Sequence, residues 1–363
     1  MRQRQAAEAG WGRIDRPPGC YLQMPGDFGR RFAVFVDTEE EFDWSCPLSR
    51  EQRGTTATRG LPDMHRRLAV EGVKPIYLVD HPIATNPDSA AILRGFLDAG
   101  ECTIGTHLHP WVNPPFDEDV TGPNSFAGNL SPDLERAKLV QLTDAIEEAF
   151  GHRPTVYRAG RYGVGPNTAA ILRDLGYRVD VSVRALFDYS REGGPDFHAT
   201  RPLPYWLGEG LLEVPLTAAY VGALRRFGPA LYPAAGRVPR MQGLLSRAGL
   251  LGRVALTPED MPLVDVIDAL DRLIEDGLQL FSISFHSPSA APGHTPYVRD
   301  AAGLDHFHAW WDGIFAYFRR RGVTPASMGE IEAAASRAQP LANPPAAPLS
   351  ARKSAGSGPV AQR

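Results

Sequence analysis

Seven short stretches rich in β-branched and aromatic residues recur along this 363-residue chain, and their spacing restricts the fold more than any other feature. They cover residues 31–37 (RFAVFVD), 73–80 (VKPIYLVD), 102–107 (CTIGTH), 155–159 (TVYRA), 178–183 (RVDVSV), 211–216 (LLEVPL) and 279–286 (QLFSISFH). Apolar runs of this length bounded by turn residues read as buried strands of a parallel sheet. Helical patterns lie between several of them, at residues 87–99, 132–150, 166–175 and 262–276. Asn86-Pro87, Ser131-Pro132 and Gly165-Pro166 place proline where the first helical turn tolerates it. This alternation predicts an α/β architecture. The length would allow two domains, although α/β barrels of about 250 residues form one.

Two regions depart from the pattern. Between Val214 and Pro258 there is no acidic residue, while Arg225, Arg226, Arg237, Arg240, Arg247 and Arg253 recur among Leu, Phe, Tyr and Met. This insertion, about residues 218–258, reads either as a solvated excursion or as a surface for an anionic membrane or lipid-linked substrate. Pro229, Pro233 and Pro239 interrupt its helical periodicity. From Gln339 onward Pro, Ala and Ser dominate, which predicts a disordered tail over residues 338–363. Ser327 and Glu330 have capping-box spacing for a last helix just before it. The chain thus divides into an N-terminal extension (1–30), one main body (31–337) and the tail.

A net charge of -4 gives no broad basic field, so no nucleic-acid partner is expected. Cys20, Cys46 and Cys102 are odd in number and form no CxxC, which argues against a disulfide framework or a thiolate metal site. The polar N-terminus lacks the apolar core of a signal peptide, and no run of about 18 apolar residues exists. The expectation is a soluble, cytoplasmic protein.

Polar residues gather where the strands end. The first runs into Asp37-Thr38-Glu39-Glu40-Glu41, the third into His107-Leu108-His109-Pro110-Trp111, the fourth into Arg158-Ala159-Gly160-Arg161-Tyr162, and the seventh ends at His286. In α/β barrels such strand ends converge on the catalytic face. His107 and His109, two apart on a strand, point to one side and can share a metal. A carboxylate from Asp37 or Glu39 would complete a three-ligand set that leaves a position for water, the pattern of a catalytic zinc. His65, His152 and His198 read as surface or capping residues, and His294, His306 and His308 as outside the ligand set. His81 stands at a strand end, where it either lines the site or is structural. Glu40, Glu41 and Asp43 read as loop charges of which at most one reaches the site. Asp180 and Arg184 either orient the site or form a plain ion pair.

The strings DTEEEFDW, HLHPW and YRAGRYG make the chain resemble the NodB-type polysaccharide deacetylases, and more narrowly their WalW-like branch. The resemblance runs from about Arg31 to Arg337. It implies a distorted (β/α)7 barrel, in keeping with seven strands, that removes N- or O-acetyl groups from sugars with a divalent metal, usually zinc. On this resemblance Asp37 is the base and Arg158 its partner, while Glu39, His107 and His109 are the metal ligands. His286 is the general acid, and a backbone N–H near Tyr162 helps stabilise the oxyanion. Three departures stand out: a glutamate as acidic ligand, one residue rather than three between the histidines, and Ser287 after His286. Trp44 and Trp111, beside these residues, are either platforms for a sugar ring or loop-packing residues.

The leading functional expectation is therefore a metal-dependent deacetylase acting on an acetylated saccharide, a precursor of a cell-surface polysaccharide. Hydrolysis of a non-sugar C–N bond and a non-catalytic glycan-binding barrel are the alternatives.

Overall fold

The structure, a computed structural model, describes residues 13–15 and 19–342. All seven expected strands form, and they lie side by side in one sheet. In chain order the strands are β1 (Cys20–Gln23), β2 (Arg31–Thr38), β3 (Ile76–Val79), β4 (Thr103–Leu108), β5 (Val156–Ala159), β6 (Val179–Asp180), β7 (Tyr205–Trp206), β8 (Leu212–Glu213), β9 (Ala218–Val221), β10 (Gly252–Ala255), β11 (Leu280–His286), β12 (Thr324–Pro325) and β13 (Gln339–Ala342). The sheet order is β11-β2-β3-β4-β5-β6-β8-β7, parallel throughout except for β7. β12 adds beside the start of β2.

The sheet curls into a distorted (β/α) barrel. The outermost of its parallel core strands, β8 and β11, do not pair strand to strand; Thr217 bridges them, donating its N–H to Ser282 O at 3.3 Å and accepting the Ser282 N–H on Oγ1 at 2.9 Å. Alternation along the strands sorts two apolar sets. Ala33, Phe35, Ile76, Leu78, Val156 and Leu280 fill the lumen. Phe32, Val34, Val36, Tyr77, Phe281 and Ile283 face outward toward the helices. Gly105 belongs to the lumen layer, where a Cβ would meet Leu78 Cδ2 at 2.8 Å and Val156 O at 2.9 Å.

The outer layer comprises α1 (Leu61–Val70), α2 (His81–Thr85), α3 (Pro87–Asp98), α4 (Pro132–Phe150), α5 (Thr168–Asp174), α8 (Leu263–Glu275) and α9 (Ala301–Arg321), with α6 (Gly228–Ala235) and α7 (Met241–Arg247) in the insertion and α10 (Met328–Ser336) last. Caps fall where the sequence places them. Asn86 and Ser131 accept backbone N–H groups of their own first turns, and Ser327 and Glu330 close a full capping box. The helix expected at Pro166 begins only at Thr168, whose hydroxyl accepts the Gly165 N–H and donates to Glu135. α10 plugs the floor of the barrel, its Ile331 and Ala335 packing in the lumen cluster with Leu22, Met24 and Phe28.

Two expectations change here. The tail does not leave the body at Gln339: Gln339–Ala342 pair antiparallel with Cys20–Gln23. The partner strand, whose Tyr21 and Leu22 are both buried, supplies an edge that composition alone does not reveal. For the same reason residues 20–28 belong to the floor rather than to a separate extension. The remainder of the tail lies outside the described residues. The insertion, despite its prolines, forms two short helices on a β9–β10 ribbon; Pro229 sits in the first turn of α6, where it is tolerated, and Pro233 lies inside that helix. No described helix is long and apolar enough to cross a membrane.

Candidate functional site

Period-two alternation carries the polar residues to the upper rim of the lumen. Asp37 lies two residues beyond Phe35, Asp80 two beyond Leu78, His107 two beyond Gly105, and Arg158 two beyond Val156. Register does the rest: His286 on β11 is the direct neighbour of Asp37 on β2, and His107 on β4 of Arg158 on β5. Asp37, Glu39, His107, His109, Tyr162 and His286 line a single cavity of about 570 Å3. This is the C-terminal end of the parallel strands, the position such barrels use for chemistry.

Glu39, His107 and His109 converge. Nε2 of both imidazoles lies 3.4 Å from the same atom, Glu39 Oε2. Their candidate donor atoms all fall within 4.8 Å of one another, a spread one metal ion can span. All three side chains are buried, and Glu39 Oε1 has no hydrogen-bond partner among the described residues. Burial, followed by the charges of His109 and Arg158, holds His107 well below the ordinary histidine value, and burial holds His109 down at about 4. Both are therefore neutral near pH 7, the form that ligates. Burial, with the carboxylates Glu40, Asp37 and Asp80 close by, pushes Glu39 well above the usual range. Four buried carboxyl groups thus crowd against Arg158 and His286. A divalent cation fits this donor set: Glu39, His107 and His109 would hold it, and its charge would relieve the carboxylate crowding.

A second shell fixes the first. Of the three loop acids Glu40, Glu41 and Asp43, Glu40 is the one that braces a ligand, and it is fully buried. Its Oε2 lies 2.7 Å from His109 Nδ1 and its Oε1 accepts the Trp111 indole N–H at 2.9 Å. Asp80 accepts the Glu40 N–H at 2.7 Å on one oxygen and caps α2 through the Ile83 N–H on the other. Glu40, Asp80 and His109 also lie close enough for a metal. Their oxygens are already engaged, however, so this trio orients His109 in the manner of a carboxylate–histidine pair. Gly160 completes the arrangement: a Cβ there would sit 2.3 Å from His109 Cδ2.

The second half of the site carries charge. Arg158, fully buried, pairs with Asp37 Oδ1 and donates from Nε to Val181 O at 3.1 Å. His286 Nε2 lies 3.8 Å from Asp37 Oδ2, and its Nδ1 lies 2.6 Å from Glu259 Oε2. Burial alone would lower the His286 pKa. The negative charge of Glu259, Glu39 and Asp37 outweighs that and raises it to about 10. Glu259 is held in turn by Ser289 Oγ at 2.5 Å. Ser287, noted from sequence only as a departure, accepts the Glu39 N–H at 3.2 Å.

Around the rim, Arg161 and Tyr162 both adopt positive φ (53° and 60°), a costly pair of left-handed residues that turns the chain sharply after β5. Trp44 is 39% exposed, edge-on to His286 at 5.4 Å and to Tyr297 at 5.7 Å, and stacked on Phe42. Trp111 differs: it is 3% exposed, stacked on His109 at 4.2 Å and bonded to Glu40, so it braces a ligand and has little ring face to offer a sugar. Asp180 and Arg184 do not pair. Asp180 accepts from Ser182 at 2.6 Å beside Glu213, whereas Arg184 lines the cavity among Tyr162, Phe187 and Tyr189. Glu41 and His294 meet at 3.3 Å outside the trio, and Asp43 is exposed. His65, expected as a surface or capping residue, is buried on Phe96 with Nδ1 2.9 Å from the Tyr77 hydroxyl. Sequence reading missed Glu259. Its one signal is its place as the first acidic residue after the acid-free stretch.

No family model matches the chain, and no curated protein matches it. Solved structures do resemble it. A probable polysaccharide deacetylase from Pseudomonas aeruginosa is 15% identical, with 86% of this chain and 93% of that chain covered and a TM-score of 0.49. The PuuE allantoinase is 16% identical, with 88% and 93% covered and a TM-score of 0.48. A Mycobacterium smegmatis protein provisionally named a polysaccharide deacetylase is 19% identical, with 87% and 96% covered and a TM-score of 0.45. At such identities the side chains themselves must carry any functional reading.

Proposed function

We propose that this protein is a metal-dependent hydrolase that removes an acetyl or similar acyl group from a saccharide nitrogen. One observation carries the reading: a cluster of metal-type donors shares its cavity with a carboxylate held by an arginine and an imidazole held by a glutamate. Glu39, His107 and His109 would hold a divalent cation, zinc by their donor chemistry, which when bound makes water more acidic and polarises a carbonyl. Asp37 takes the proton of the attacking water, and Arg158 fixes that carboxylate in place. His286, held protonated by Glu259, delivers a proton to the departing nitrogen. The bend at Arg161 and Tyr162 brings backbone to the cavity wall, where a carbonyl oxygen gaining charge needs donors. Trp44, with Phe42 and Tyr297, offers the apolar ring surface that one face of a sugar covers.

Cleavage of a non-sugar C–N bond would use the same groups, and the aromatic wall favours the sugar. A binding-only barrel has no use for base, buttress and acid together. The test is acyl release by zinc-loaded protein from a panel of acetamido sugars and non-sugar amides. Acetate from an acetamido sugar, lost in Asp37→Asn, is the expected result; hydrolysis of the non-sugar amides alone would move the protein to the alternative class.

A further inference from the structure

We propose that the insertion between β9 and β10 is a docking surface for an anionic lipid bilayer. The proposal stands apart from the chemistry above. α7 has no buried residue at all, and α6 buries only Gly228 and Ala235. Yet the segment holds Phe227 (62% exposed), Leu231, Val238, Leu244 (60% exposed) and Leu250, half of the large apolar side chains exposed among the described residues. Apolar groups concentrated in water on one excursion mark a contact surface rather than a packing accident.

Charge identifies what covers it. Arg237, Arg240 and Arg247 are exposed and make no ion pair among the described residues, and the acid-free stretch supplies none from nearby in the chain. A cationic patch on a protein of net charge -4 calls for an anionic partner. Interspersed leucine, phenylalanine and valine call for a partner with an apolar interior below its charges. Lipid with acidic headgroups meets both demands, whereas nucleic acid meets only the first.

The base of the insertion is anchored while its tip is free. Arg253 lies over Phe187 at 3.5 Å and Tyr232 at 4.9 Å, and Arg191 donates to Gly236 O at 2.8 Å. Phe187 and Arg191 flank Tyr189, which lines the catalytic cavity. Docking through the tip would therefore place one wall of that cavity near the lipid surface.

The full-length protein would be sedimented with vesicles of phosphatidylcholine, with or without about one third phosphatidylglycerol, at low and high salt. It should pellet with the anionic vesicles only and be released by salt, since surface charges are screened. Phe227→Ser/Leu244→Ser and Arg237→Gln/Arg247→Gln should each weaken binding by at least about tenfold while keeping wild-type circular dichroism and melting, because all four side chains are exposed. Three results would overturn the proposal: no pelleting with anionic vesicles, unchanged binding by both variants, or self-association abolished by Phe227→Ser/Leu244→Ser without vesicle binding. The last would assign the patch to a second copy of the chain.

Discussion

Glu259 holds His286 at two points. Its Oε2 lies 2.6 Å from the imidazole Nδ1, and its Oε1 accepts the backbone N–H of the same residue at 3.1 Å. The contact fixes ring orientation and charge together, and it links the end of the insertion to the end of β11. An imidazole with its Nδ1 on a carboxylate presents Nε2 to the cavity and keeps a proton there.

The first prediction concerns that proton. His286 is raised to about 10 mainly against the effect of burial, by Glu259 and the nearby carboxylates. If protonated His286 is the acid, activity falls as pH rises through its pKa. Glu259→Gln removes a negative charge, so it lowers that pKa and moves the alkaline limb of the pH–rate profile to lower pH. The loss should be larger at pH 9 than at pH 6. An unmoved alkaline limb would exclude Glu259 from tuning the acid.

A second prediction uses the close approach of Gly160 to His109. A methyl at Gly160 would overlap the imidazole and the Leu108 carbonyl. Gly160→Ala should weaken zinc affinity by about ten- to a hundredfold, as second-shell changes do, with a smaller effect on folding. Gly95→Ala in α3, with nothing within 4 Å of the new Cβ, is the control and should leave affinity unchanged.

How much of this was legible follows from where the information sits. The seven strands and the inward set Asp37, His107, Arg158 and His286 could be read because β-strand alternation is a local rule. The same rule explains why one intervening residue between His107 and His109 suffices: both Nε2 atoms reach Glu39 from successive inward positions. The partners of these residues were hidden. Glu40 looked like one of several loop acids until the turn after β2 folded it under Trp111, and Glu259 reaches His286 only through the long return from the insertion. Likewise Gln339–Ala342 read as low-complexity chain, and only the edge offered by Cys20–Gln23 makes it a strand.

The third prediction concerns the buried ion pair. Arg158→Met would leave Asp37 buried without its counter-charge, and breaking such a pair typically costs about 3–5 kcal/mol. Urea unfolding should show a loss of that order. Arg158→Met/Asp37→Asn should recover much of it, since the uncompensated charge is gone. Equal losses in the single and double variants would mean that Arg158 stabilises by packing alone.

The fourth is a pH effect away from the site. Glu135 in α4 is buried, accepts from Thr168 Oγ1 and has no partner for its second oxygen among the described residues; burial raises it to about 7. Between the unfolded value near 4.5 and about 7 the folded chain holds a proton that the unfolded chain has released. This group's contribution therefore favours folding at low pH and is lost as pH rises through that window. Glu135→Gln should raise the melting temperature at pH 8 relative to wild type and change it little at pH 4.5. Equal shifts at both pH values would show that the carboxyl is not protonated in the folded state.

The central claim is that Glu39, His107 and His109 are a metal site, and elemental analysis of purified protein tests it most directly. Wild type should carry about one zinc-like ion per chain, and Glu39→Gln, His107→Ala and His109→Ala should each lose it while remaining folded. Wild type that takes up no metal even after incubation with zinc, or histidine variants that keep full occupancy, would contradict the account.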